Sequence, residues 1–379
     1  MAAARRRPLP IWVDAGLLPV VNVLLALSVA GLIVLAAGVD PIDAVRVMLV
    51  GAFGSEEAVG YTLYYATNFV FTGLAVALAF HAGLFNIGGE GQAYLGGLGA
   101  GLVALGFDRI LPAAILIPLA VAAAAGFGAA WAAIPGYLQA YRGSHIVVTT
   151  IMFNFIAAAL MVYLLVNVLI APGSMSPESR EIGAVAQLPA LHVLLRGIGL
   201  TVAPSPLNLS AVWAALCCVA VWLFLWRTPR GYELRVLGHN ADAARYAGID
   251  VGRTTVLALC LSGALAGFVG VNEILGVQHR LILDFAAGYG FGGIAVALIG
   301  RNHPAGVALA SILFGALYQG GAELAFDFPS ITRDMVVVIQ GLVILFSGAL
   351  ANLVRPWLEA AIAPFVRDAR GVDAIAEES

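Results

Sequence analysis

Long apolar runs separated by short polar breaks set the rhythm of this chain. Ala15 to Val39 carries no charge and predicts a helix long enough to cross a bilayer with some tilt. A cleaved leader would have a shorter apolar core, so this run reads as an uncleaved first helix. Further runs cover Gly60 to Phe80, Tyr94 to Phe107, Leu111 to Trp131, Ile146 to Ala171, Leu209 to Trp226 and Thr254 to Ile274. After a short Gly-rich half-span, Gly288 to Gly300, come Pro304 to Ala325 and Asp334 to Val354. The pattern predicts an all-α integral membrane fold of about ten transmembrane helices. Asp40 to Gly54 is mildly amphipathic and is expected along the outer surface. Pro172 to Asn208, with Glu178, Arg180, Glu181 and Arg196, reads as an external segment. Residues 1–14 then form an N-terminal arm, 15–354 the membrane domain and 355–379 a polar tail.

His81 to Gln92, H-A-G-L-F-N-I-G-G-E-G-Q, breaks the rhythm most sharply. Gly83, Gly88, Gly89 and Gly91 interrupt any helix passing through, and Asn86, Glu90 and Gln92 are costly at membrane depth. Irregular backbone survives there only inside protein or beside a wet cavity, the broken-helix pattern of transporter sites. A plain hairpin between two helices is the competing reading. Beyond the break, Gly96, Gly97, Gly99 and Gly101 predict a face for close helix approach.

Composition agrees with the pattern: 61% of residues are hydrophobic and 11% charged, with a mean hydropathy of +0.96. Soluble domains carry roughly a quarter charged residues. A net charge of −3 with no basic stripe gives no reason to expect nucleic acid. All 19 basic residues are arginine. The absence of lysine excludes a Walker A loop, a Schiff-base enzyme and a Ser-Lys dyad within this chain. Any driving energy comes from a gradient or from another subunit. Cys217, Cys218 and Cys260 fall within predicted spans without metal or redox spacing, and neither H-E-x-x-H nor G-x-S-x-G occurs. No metal site, cofactor or enzyme activity is expected. Arginines concentrate on the segments assigned to the inner side, which places both termini in the cytoplasm.

The inner loop from Arg227 to Arg253 is the most charged stretch. Asn240 to Ala247 reads as a short surface helix with an Asn cap, an Asp242–Arg245 pair at i,i+3 and a terminal Gly248. Its small alanine face suits insertion into a groove of another protein. A solvated loop whose arginines fix topology is the alternative.

Two stretches carry a family resemblance: G-L-F-N-I-G-G-E-G-Q at Gly83 to Gln92, and G-H-N-A-D-A-A-R-Y-A-G-I at Gly238 to Ile249. They resemble the bacterial ABC importer permeases of the branched-chain amino acid, ribose and nucleoside group, and within it the nucleoside and simple-sugar branch. The run I-V-V-T-T-I-M-F-N at Ile146 to Asn154 is similar to the same branch. The resemblance covers about Tyr61 to Val354. It implies an inner-membrane transport subunit with a second permease chain (different or identical), a cytosolic ABC ATPase and an external substrate-binding (lipo)protein. It also implies that the loop with Glu233, Gly238, Asn240, Ala243, Ala244 and Gly248 docks on the ATPase.

For the path of a small-molecule substrate, Asn86, Glu90, Gln92, Asn68 and Asn154 supply donors and acceptors for hydroxyls and ring nitrogens. Phe85 and Tyr289, with Phe71, supply faces for stacking. The same polar groups serve equally to tie a broken helix together, and Asn68 and Asn154 suit interhelical bonding. Glu273 and Glu323 are expected to snorkel toward the outer surface. An importer for branched-chain amino acids and a gradient-driven secondary transporter are the competing functions.

Overall fold

The computed structural model describes residues 17–346. The arm at residues 1–14 and the tail at 355–379 lie outside the described residues, as does the end of the last expected span. The chain divides into two compact units, Met1–Val45 with Ala325–Ser379, and Arg46–Leu324. In the first, α1 (Leu18–Ala36) packs against α14 (Arg333–Ile344), whose N-terminus is capped by Thr332.

The second unit holds the rest of the structure. After α2 (Pro41–Phe53), Ser55 caps α3 (Glu56–His81), and an irregular stretch of seven residues leads to α4 (Gly89–Phe107). There follow α5 (Ala113–Arg142), α6 (Ile146–Asn167), the short α7 (Leu191–Gly197) and α8 (Ser210–Arg227). Then come α9 (Pro229–His239), α10 (Ala241–Tyr246) and α11 (Val251–Gly267), a π-helical turn at Val271–Gln278, α12 (Tyr289–Ile299) and α13 (Pro304–Asp327). Among the described residues there is no strand, only an isolated bridge between Ala190 and Asn208. Six helices among the described residues are long and apolar enough to cross a membrane, or seven if the broken pair α1 and α2 counts as one span, and α12 is a shorter apolar helix. This is broadly consistent with the expected ten, of which the last span, Asp334 to Val354, is only partly within the described residues.

α4, α5 and α11 pack through small residues. A Cβ on Gly96 would meet the backbone of Gly267, one on Gly128 that of Gly263, and one on Gly270 that of Gly97. The glycine face expected of α4 is thus an interface, where dispersion contact replaces side-chain interdigitation. Two expectations need correction here. The inner loop placed at Pro135 to Ser144 is helical as far as Arg142. Pro135 removes only one main-chain donor, and the helix ends where Gly143 turns left-handed at φ +68°. Glu273 does not snorkel either: it is 2% exposed within the π turn.

The segment 172–208 is fastened to the C-terminal end of that turn and the loop after it. Ser179 N donates to Leu281 O at 2.9 Å, Ile182 N to His279 O at 2.8 Å and Leu188 N to Leu275 O at 2.8 Å. These bonds take up carbonyls at the end of the π turn and in the loop after it. Asp108, at the end of α4, clamps the same segment. Its two oxygens accept from Arg180 at 2.8 and 2.9 Å and from Gly183 N at 2.7 Å. The Arg180 guanidinium holds the Asp108 carboxyl below the usual Asp range. A lowered folded-state value contributes stability above the unfolded value, and that contribution is lost as pH falls through the folded value. The segment 172–208 should therefore stay protease-resistant down to about pH 4, near the ordinary Asp value, and loosen only below it. Asp108→Ala should open it at neutral pH. Limited proteolysis across a pH series checks both, and unchanged cleavage of the variant would count against the clamp.

Candidate functional site

The break between α3 and α4 is packed and is crossed by bonds between side chains and main chain. Gly83 turns left-handed at φ +71°, a conformation glycine adopts without strain. His81 Nε2 lies 3.0 Å from the carbonyl of Asn302, just past the C-terminal end of α12, while Glu90 meets the N-terminus of α12. At 1.5 Å rise per residue, the eleven residues of α12 extend about 16 Å. The segment 81–90 therefore climbs alongside a half-helix instead of turning back in a tight hairpin.

Leaving a main-chain polar group unpaired in an apolar interior costs about 2–7 kcal/mol, and the polar residues of the break prevent this. Asn86 Oδ1 accepts from Gly88 N at 2.9 Å and from Gln92 Nε2 at 3.2 Å. Its Nδ2 donates to Gln92 Oε1 at 3.0 Å and to Ser262 Oγ at 2.9 Å. Asn154, on α6, accepts from Gly91 N and donates to Ile87 O, both at 2.9 Å. Thr150 Oγ1 accepts from Ile87 N at 3.3 Å. Glu90 Oε1 accepts from Gly288 N at 2.9 Å and Oε2 from Gly290 N at 2.8 Å. Its carboxylate thus sits on the positive end of α12, where oriented amides favour an anion. Gly290 permits this approach, because a Cβ there would overlap the backbone of Glu90. Asn86, Gln92 and Glu90 are all buried. Phe85 stacks on Phe80 with centroids 5.2 Å apart, and Phe71 is buried against Phe268.

A second polar cluster lies between α3, the π turn and α12. Glu273 Oε1 accepts from Tyr64 Oη and from Asn68 Nδ2, each at 2.6 Å. Asn272 Nδ2 donates to Asn68 Oδ1 at 2.9 Å, and Asn272 Oδ1 accepts from Ser210 Oγ at 2.6 Å and Asn208 Nδ2 at 2.9 Å. An aromatic group adjoins it: Phe69 packs on Tyr289 at 5.3 Å and on Tyr318 at 4.9 Å, with Tyr65 5.8 Å from Tyr318. Tyr65 and Tyr318 are half-buried, whereas Phe69 and Tyr289 are buried. Asn68 and Tyr289 are among the residues the sequence suggested for a substrate path, and the structure brings them together; Tyr64, Tyr65, Asn272, Glu273 and Tyr318 are not among them. A signal for them exists in the adjacent Asn272 and Glu273 within an apolar run, because an ionisable residue in a span marks a functional site by default.

On the loop side, Asn240 caps α10, its Oδ1 accepting from Asp242 N at 2.9 Å and Ala243 N at 3.1 Å. Asp242 and Arg245 pair at 2.8 Å. Ala244 is buried and anchors the helix, while Ala243 is exposed and Tyr246 is 97% exposed. Gly248 ends the turn at φ +79°, with its N–H on Arg245 O. Glu233 lines a cleft of about 680 Å³ with Arg230, Asp250, Arg253, Tyr137 and Tyr141. Gly238 faces the other way, with its α-carbon against the His81 carbonyl and Gly83. The expected surface helix is present, and the loop reaches the glycine break.

The chain matches the family described as branched-chain amino acid transport system / permease component over residues 58–348. It is similar to a glucose ABC transporter permease protein of Haloferax volcanii, 38% identical over 90% of this chain and 89% of the relative. A guanosine ABC transporter permease protein of Bacillus subtilis is 35% identical, over 87% of this chain and 92% of the relative. A nucleoside ABC transporter permease protein of Lactococcus lactis is 32% identical over 87% and 90%. No solved structure matches. The chain belongs to this permease family and is a multi-pass membrane transport subunit of an ABC transporter. Such a subunit works with an ATPase and a substrate-binding protein.

Asn154→Ala would strand Ile87 O and Gly91 N inside the protein. Each lost partner costs about 1–3 kcal/mol, so the variant should unfold at a lower temperature in detergent. Thermal unfolding equal to the unmodified protein would show that the break does not depend on this amide.

Proposed function

We propose that this chain is the permease subunit of an ABC importer for nucleosides or related simple sugars. It sits in the cytoplasmic membrane with both termini inside and pairs with a second permease chain, different or identical. The observation carrying the substrate reading is the aromatic group of Tyr65, Phe69, Tyr289 and Tyr318 beside Asn68 and Glu273. Aromatic faces stack on a base or on the apolar face of a sugar, and amide and carboxylate groups match its hydroxyls. The groups named in the cluster are amide, hydroxyl, carboxylate and ring, whereas an amino-acid zwitterion also needs a cationic partner for its carboxylate. The printed names of the glucose, guanosine and nucleoside relatives support the same reading. In it, α10 docks on the ATPase through Ala243 and Gly248, the buried Ala244 holds the helix to its own chain instead of facing the partner, and Glu233 and Asn240 support it.

Uptake into vesicles holding the complete transporter, with labelled adenosine against unlabelled adenosine, ribose and leucine, tests the substrate class. Competition by leucine alone would overturn it. Tyr318→Ala should lower nucleoside uptake by about tenfold, the scale of one lost stacking contact, without loss of assembly. For the docking role, Ala243→Arg and Gly248→Arg should abolish co-purification with the ATPase while membrane insertion persists. The first keeps a helix-compatible residue, so normal ATPase recovery with it would remove α10 from the interface.

A further inference from the structure

Glu90 is an ionisable residue buried in the protein interior, and both its oxygens accept from main-chain amides. We infer that Glu90 is a positioning residue for transport: it joins the glycine break to α12, so that a push from the cytosolic loop reaches Tyr289. This rests on the permease reading above.

The contacts run without a gap. Gly238, the last residue but one of α9, lies against the His81 carbonyl and Gly83, so close that no side chain fits between them. α9 leads through Asn240 directly into α10. From Gly83 the break ascends to Glu90, whose carboxylate grips Gly288 N and Gly290 N on either side of Tyr289. Glycine at 290 brings the two backbones into direct contact. The far end of α12 is held too, by His81 against the Asn302 carbonyl. Segment 81–90 therefore holds the half-helix at both ends and receives α9 at its base. Packed backbone contacts have almost no slack, so displacement is transmitted and not absorbed. Tyr289 is the first residue of α12 and part of the aromatic group, so movement of α12 alters that group directly.

Glu90→Gln isolates the idea, since the amide keeps one acceptor and turns a donor toward a main-chain N–H. In vesicles containing ATPase and binding protein, this variant should bind the ATPase normally and hydrolyse ATP. Solute moved per ATP should fall at least tenfold. Gly238→Val, which wedges α9 away from the break, should give the same loss of coupling. A purely structural role would lower protein yield without changing the ratio of transport to hydrolysis in what assembles. Hydrogen exchange on the unmodified complex supplies an independent measurement. Peptides covering 82–90 and 288–299 should change protection together when ATP binds, and Glu90→Gln should raise exchange at 288–290.

A wild-type coupling ratio in Glu90→Gln, or independent exchange of the two peptides, would overturn the inference while leaving the permease reading intact. A raised half-saturating solute concentration at unchanged coupling would instead make Glu90 a substrate contact and equally overturn it. Absence of any ATP-dependent uptake by the unmodified complex would overturn the permease reading itself.

Discussion

In a medium that offers no water, every main-chain N–H and C=O needs a partner from the protein. A helix meets that demand by itself, and an interrupted helix does not. The break between α3 and α4 exists because side chains from elsewhere replace the missing bonds. Asn86 serves Gly88, Asn154 serves Ile87 and Gly91, Thr150 serves Ile87, and Glu90 serves the start of α12. These partners come from α6 and from the break's own residues. The irregular segment therefore draws helices distant in sequence into one assembly, and the small-residue packing of α4, α5 and α11 supports it.

Two polar regions of different character result. Around Asn86 and Gln92 the hydrogen bonds are internal, and the groups have few valences left for a visitor. Around Asn68 and Glu273 the amides and carboxylate adjoin half-buried tyrosines. In the proposed reading, recognition and mechanical support fall to different residues, with α12 belonging to both through Tyr289 and Gly290. A site built on one half-helix can change shape when that helix shifts, while the bonds that keep the backbone satisfied move with it.

Much of the architecture was legible from hydrophobic run length alone. The largely irregular stretch 172–208 announced itself by prolines and charges, and Asn240 and Gly248 marked the ends of α10 because capping chemistry is local. The break could be located from Gly83 to Gly91, since glycine at that density cannot propagate a helix. What it does with its polar groups was not legible, because Glu90 finds its partners some 200 positions later, and local pattern does not specify such pairings. The same distance hid the meeting of Tyr64 and Asn68 with Glu273. Pro135 misled because a proline inside a long apolar helix costs one hydrogen bond without ending the helix. Nothing in the local pattern joined Tyr65 and Tyr318 to Tyr289, which three separate helices bring together.

The π turn at Val271–Gln278 decides which way its polar residues face. A wide turn holds a residue more than the α-helix would over the same path, and such turns recur at functional positions. Here it lets Asn272 and Glu273 face inward while His279 and Leu281 still meet the segment 172–208. Removing the extra residue would restore ordinary winding within the turn and re-aim Asn272 and Glu273, because successive α-helical residues differ by about 100°. The inward aim of this amide and this carboxyl is thus a property of the backbone winding as much as of the residues themselves.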